Sequence, residues 1–242
     1  EGVGQRFQGA TWMVPPMSLG ILFSKEPEVA ISYALQYGVS VGREARESGL
    51  NWVLGPVCDV NSNPLNPVIN MRAWSTEPEA AALLSLAFHK GLISQGVLSC
   101  AKHFPGHGDT TVDSHLEMPI LDKNLSDLNQ LELIPFRTLI DNGVESVMTA
   151  HLLLKQIDPN YPVTFSKTIL KDLLRKEMGY KGLIVTDALV MQSITKNYSM
   201  NDIAVMAFSA GADILLMPPN PSQAIDSIVD ALNSGKIPMQ RL

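Results

Sequence analysis

Fourteen consecutive residues, Lys102-His103-Phe104-Pro105-Gly106-His107-Gly108-Asp109-Thr110-Thr111-Val112-Asp113-Ser114-His115, carry three histidines, a lysine and two aspartates. Glycine and proline fix irregular backbone there, and a loop that concentrates ionisable groups on such backbone usually serves function rather than packing. Two chemistries suit these residue types. His103, His107 and His115, with Asp109 or Asp113, have the donor atoms of a metal site. Against that, Pro105, Gly106 and Gly108 break the helix that would set an i, i+4 histidine pair on one face, and there is no H-E-x-x-H. The expectation is no metal and no cofactor, with the metal site kept as the lesser alternative. The other chemistry is proton transfer by Asp113 and His115. In extended backbone residues i and i+2 face the same way, so the carboxylate can hold the imidazole in one tautomer and raise its basicity.

A second segment, residues 182–189, is an apolar run, Leu183-Ile184-Val185-Thr186, that ends on Asp187. An aspartate at the C-terminal end of a barrel strand is a candidate nucleophile or general base, whereas one that merely caps the next turn is equally common. His151 follows the run 146–150 in the same way, either as a hydrogen-bonded rim histidine or as a substrate contact. Arg72 closes an Asn/Pro-rich stretch, 61–72, where a surface arginine is the default. Asp59 is expected to serve the hydrogen bonds of its own loop. Met191, Met206 and Met217 sit at apolar positions and are expected in the core.

These groups need elements to position them. Helical periodicity covers residues 27–48, 78–95, 125–142, 167–178, 201–210 and 222–233, and short apolar runs at 52–54, 97–101, 146–150, 183–186 and 213–217 alternate with them. Gly49, Gly96, Gly143 and Gly182 stand where helix ends need a positive φ. Strands without period-two alternation are those of a parallel sheet covered on both faces, so the class is α/β. Asp59, Lys102, His103, His151 and Asp187 fall directly after strands. That favours a (β/α)8 TIM-like barrel, whose strands all deliver their C-terminal ends to one mouth. No glycine-rich dinucleotide fingerprint marks an open sheet's switch point. Five to six βα units are visible, so the barrel is incomplete, with the shortfall expected at the glycine- and proline-rich N-terminal stretch. A single domain over residues 1–242 is expected.

The net charge of −6, with no basic run, removes the electrostatic footprint of a nucleic-acid binder. No apolar stretch reaches the roughly 20 residues of a membrane span. Cys58 and Cys100 lie in or beside apolar runs and read as buried thiols rather than a disulfide. Oligomeric state is open; the cytoplasm is the default compartment, and a leader or anchor before Glu1 would not be visible.

K-H-F-P-G-H-G-x-x-x-x-D-S-H, followed some seventy residues later by a strand ending T-D-A-L, resembles the family 3 β-N-acetylglucosaminidases. Similarity continues through Glu1-Gly2, Pro56-Val57-Cys58-Asp59-Val60, Ala150-His151 and Ala210-Gly211-Ala212-Asp213. The resemblance implies a barrel that lacks early strands here and a carbohydrate substrate. It implies removal of terminal β-linked N-acetylglucosamine with retention of configuration. By motif, Asp187 would be the nucleophile, His115 the general acid/base and Asp113 its orienting partner. Lys102, His103, Arg72 and Arg6 would hold sugar hydroxyls. Arg72 stands in Asn-Met-Arg-Ala-Trp where the family more often has Gly-x-Arg-Ser-aromatic. The alternatives are a β-glucosidase or other β-hexosidase of the same family and, in another class, a non-catalytic carbohydrate-binding relic.

Overall fold

The computed structural model describes residues 8–242. In chain order the elements are α1 (Met17–Phe23), α2 (Pro27–Glu47), α3 (Pro78–Ser94), β1 (Cys100–Phe104), β2 (Ile120–Leu121), α4 (Leu125–Gln130) and α5 (Leu133–Asp141). They continue with β3 (Ser146–Thr149), β4 (Leu153–Leu154), a π-wound helix over Thr168–Glu177, β5 (Leu183–Thr186), α6 (Gln192–Thr195), α7 (Met200–Ala210) and α8 (Pro221–Asn233). Contacts divide the chain into two compact units, residues up to 111 with 125–148, and residues 112–124 with 149–242.

In the first unit, Ala30, Ala34, Tyr37, Val41 and Ala45 recur along one face of α2 and bury against Leu84, Ala87, Phe88 and Leu92 of α3. The two helices meet backbone to backbone. A Cβ on Gly38 would lie 2.2 Å from the Phe88 carbonyl oxygen, and one on Gly91 2.4 Å from that of Leu35, so only glycine permits the approach. Tyr37, Trp74 and Phe88 close this core with ring centroids 5.5 to 5.7 Å apart. Each such side chain contributes about 1.5–3 kcal/mol by leaving water. The strand β1 contacts α5, neighbours β3 and is flanked by the 55–58 segment through a parallel bridge between Val57 and Lys102.

In the second unit β2 and β4 pair in parallel, Ile120 with Leu153 and Leu121 with Leu154. The β5 strand bridges in parallel to Ile214 through Val185. Ser199 caps α7, its hydroxyl accepting from the Asp202 amide at 3.2 Å, and Asn220 caps α8, accepting from the Gln223 amide at 3.1 Å. Val205, Ala231, Leu232 and Ile237 form a core between these two helices.

Several sequence expectations shift. The 125–142 helix is two helices, because Pro135 has no amide to give the Leu131 carbonyl. The strand expected at 97–101 runs Cys100–Phe104 instead, because the Cys100 and Lys102 amides find the carbonyls of Gly55 and Pro56 at 2.8 and 3.1 Å. Lys102 and His103 are therefore strand residues. The runs 52–54 and 213–217 supply only isolated bridges. Gly49, Gly96 and Gly143 do take positive φ, whereas Gly179 rather than Gly182 does so after the π-wound helix. Met191 is buried, but Met217 is 59% exposed, in the irregular segment that follows the Ile214 bridge.

Candidate functional site

Four of the predicted residues, Asp113, His115, His151 and Asp187, lie within the second unit. Asp113 and His115 sit on the segment between β1 and β2, where Asp113 Oδ1 accepts both the His115 amide and His115 Nδ1, each at 2.8 Å. A carboxylate can only accept, so Nδ1 carries the proton and Nε2 is left to exchange one. The turn is local, with the amides of Leu116 and Glu117 bonding the Asp113 carbonyl at 2.9 and 3.0 Å. Asp187 directly follows β5, half-buried, with Oδ1 accepting the Ala188 amide at 2.8 Å. Its strand end is held by the Thr186 hydroxyl, which accepts the Leu216 amide at 2.9 Å, and by the Leu189 amide on the Leu216 carbonyl at 2.9 Å. Five residues beyond Asp187, the Gln192 amide reaches the His115 carbonyl at 3.3 Å, and Lys196 Nζ reaches the Leu116 carbonyl at 3.1 Å. The short helix α6 thus ties the His115 turn to the chain that leaves Asp187.

His151 is fully buried behind that chain. Its Nε2 lies 3.1 Å from the Ala188 carbonyl and must donate to it, while Nδ1 lies 2.7 Å from the Thr164 hydroxyl. Both ring nitrogens are engaged by protein groups, which describes a support for the Asp187–Leu189 turn.

Lys102, His103 and Arg72 lie in the first unit. Lys102 and His103 are 7% and 6% exposed, joined by a cis peptide like those of Gly55–Pro56 and Phe104–Pro105. Asp59, wholly buried, does not serve its own loop as expected. It accepts the His103 amide at 3.2 Å on both oxygens, His103 Nδ1 at 2.7 Å and the His107 amide at 2.7 Å. Burial alone would raise this carboxyl, but the charge and hydrogen bond of His103, with those of His107, outweigh it and hold Asp59 below its ordinary value. The buried Cys58 thiol beside it goes the other way, pushed well up by burial and then by the Asp59 charge. Cys58 and Cys100 are both buried, as the apolar runs implied.

A residue that sequence reasoning missed is Asn66. Buried, it donates to the His107 carbonyl at 2.8 Å and the Thr110 hydroxyl at 3.2 Å, and accepts the Val68 and Ile69 amides at 2.9 and 2.7 Å. It locks the Asn/Pro-rich stretch onto the histidine loop. Gly108 completes the lock, since a Cβ there would fall 1.7 Å from the Val60 carbonyl oxygen. Arg72 ends the short 3-10 turn Asn70–Arg72, with Nη1 on the Val68 carbonyl at 3.0 Å. It borders a cavity of about 300 Å³ with Pro15, Pro16, Ile69 and Met71. A second cavity, about 400 Å³ and lined by Tyr161, Phe165, Lys167, Met206 and Ile237 among others, touches none of the predicted residues. Arg6 lies outside the described residues.

The histidines do not share a ligand set. His103 Nδ1 is taken by Asp59, His107 Nδ1 lies 2.8 Å from the Thr110 hydroxyl, and His115 Nδ1 bonds Asp113. Among the described residues no three His, Cys, Asp or Glu side chains are grouped to hold a metal ion, and no helix is long and apolar enough to cross a membrane.

Parallel strand pairs, covering helices and an aspartate at a strand's C-terminal end define an α/β protein of the TIM-barrel-like class. The sequence profile of the glycosyl hydrolase family 3 N terminal domain matches residues 1–242, and the chain belongs to that family. Among curated relatives, β-hexosaminidase A of Pseudoalteromonas piscicida is 37% identical over 254 residues, covering 96% of this chain and 42% of its own length. A glycoside hydrolase family 3 β-N-acetylglucosaminidase from Paenibacillus sp. superposes with a TM-score of 0.91 at 38% identity, over 97% of this chain and 44% of that one. NagZ from Neisseria gonorrhoeae, in complex with N-trifluoroacetyl-D-glucosamine, does so with a TM-score of 0.82 at 34% identity, over 93% and 64%. The chain thus spans about half the length of the relatives it matches.

Proposed function

We propose that residues 1–242 act as one catalytic domain of a retaining glycosidase that removes terminal β-linked N-acetylglucosamine. The observation that carries this reading is the Asp113–His115 pair, in which two 2.8 Å bonds from one carboxylate oxygen fix the imidazole and leave Nε2 for proton exchange. Family membership and the named activities of the relatives support the substrate class.

In this reading Asp187 attacks the anomeric carbon while His115 Nε2 protonates the departing glycosidic oxygen. His115 then removes a proton from the water that hydrolyses the glycosyl-enzyme, so configuration is retained after two inversions. Retaining enzymes more often pair two carboxylates. An imidazole in the acid/base role avoids like-charge repulsion with the anionic nucleophile, and its unperturbed pKa, about 6.5, suits both halves of the cycle. Lys102, His103, Arg72 and Arg6 are assigned to sugar hydroxyls. His151 is assigned to the turn that carries Asp187 rather than to the sugar, because both of its ring nitrogens are occupied.

The test is turnover of an aryl β-N-acetylglucosaminide, with an aryl β-glucoside alongside, by the intact protein and its Asp187→Ala variant. Turnover should vanish in the variant while substrate binding persists, and a fluorinated sugar should leave a covalent adduct on Asp187 of the unaltered protein. Full activity in Asp187→Ala would remove the nucleophile assignment. Binding without turnover or adduct would make the domain a carbohydrate-binding relic, and preference for the glucoside would move the substrate class.

A further inference from the structure

We infer that Asp59 is a positioning residue that fixes the tautomer of His103, and so makes His103 Nε2 a hydrogen-bond acceptor that selects a sugar hydroxyl. The inference rests on the proposed contact between His103 and the sugar. It starts from the four close approaches Asp59 accepts. Oδ1 lies 2.7 Å from the His107 amide and 3.2 Å from the His103 amide; Oδ2 lies 2.7 Å from His103 Nδ1 and 3.2 Å from the same His103 amide. Every donor faces the carboxylate, none of it faces water, and Asp59 is 0% exposed.

An ionised carboxylate has nothing to donate, so the proton between Asp59 and His103 belongs to Nδ1. In its neutral form the imidazole has one ring proton, and with that proton on Nδ1 the Nε2 atom is a lone pair. Lys102, the residue before His103, offers donors. A hydroxyl both donates and accepts, and it alone satisfies an acceptor and a donor together. An ether or fluorine would leave the Nε2 lone pair unmet.

Asp59→Asn changes that logic without removing bulk. The amide oxygen has to stay with the two backbone amides, which cannot accept. The NH2 group then faces Nδ1, which becomes the acceptor, and the ring proton moves to Nε2. His103 would present a donor where it had presented an acceptor.

The experiment compares the intact protein with Asp59→Asn and His103→Ala on aryl glycosides whose sugar hydroxyls are replaced by fluorine one at a time, and reads the His103 tautomer by 15N NMR. In the unaltered protein Nε2 should be unprotonated. In Asp59→Asn, Nε2 should be protonated, KM for the parent glycoside should rise about tenfold with kcat less affected, and discrimination against one fluoro sugar should shrink. A purely structural Asp59 would lower activity on all sugars alike and leave the tautomer unmoved, which would overturn the inference. Unchanged kcat/KM in His103→Ala would instead remove the sugar contact on which it rests. Should Asp59→Asn fail to fold, the NMR of the unaltered protein decides, because a protonated Nε2 there is incompatible with the inference.

Discussion

The molecule contains two carboxylate–imidazole pairs of nearly the same length in opposite surroundings. Asp59 and His103 meet at 2.7 Å with side chains 0% and 7% exposed, whereas Asp113 and His115 meet at 2.8 Å with side chains 34% and 59% exposed. In the buried pair the carboxylate also gathers backbone amides from a loop more than forty residues away, so it is committed to structure as well as to the ring. The exposed pair holds its own turn, and its imidazole reaches solvent. In the proposed mechanism the same chemistry is split between holding a group still and passing a proton on. Burial sets the division: a desolvated pair cannot exchange protons freely, and an exposed pair gains little from its own attraction.

The comparison breaks most visibly on activity. His115→Ala should lower kcat on an aryl β-N-acetylglucosaminide by about 10²–10⁴-fold with the thermal midpoint almost unmoved. A large loss of stability in that variant would mean that the exposed pair is structural after all.

Next in size is stability. Asp59→Ala leaves a buried imidazole and two backbone amides without their acceptor and should cost about 3–5 kcal/mol in urea unfolding. Asp113→Ala, open to water, should cost about 1 kcal/mol or less. Equal losses would erase the distinction.

The smallest effect is in the pH dependence. The folded Asp59 carboxyl lies below its unfolded value of about 3.9. Its contribution is therefore complete above that value and is lost as pH falls through the folded one, where the unfolded chain binds more protons. The stability gap between the unaltered protein and Asp59→Asn should hold steady above about pH 5 and narrow below about pH 4. A gap that widened in acid would contradict the sign.

Much of this was legible in the sequence where local rules suffice. The strand Leu183–Thr186 and its terminal aspartate were placed to the residue, because four apolar residues bounded by glycine and aspartate leave little choice. The i, i+2 spacing points to the Asp113–His115 bond, but on extended backbone; a turn carries it instead. Long-range facts were not legible. Asp59 was given to its own loop because its partners stand 44 and 48 residues on, and no spacing rule reaches that far. Nothing in the sequence separates Asn66 from the other asparagines of its polar stretch; only the fold shows that its amide spans two loops. Periodicity extended one helix through Pro135, where the missing amide should have split it.

One of the quieter bonds makes the His115 turn observable. The Gln192 amide is exchangeable, and its acceptor is the His115 carbonyl. Hydrogen exchange at Gln192 therefore counts the moments when the turn leaves α6, in water and without substrate. A backbone proton outside the chemistry keeps the record of how often the proposed acid/base is out of place.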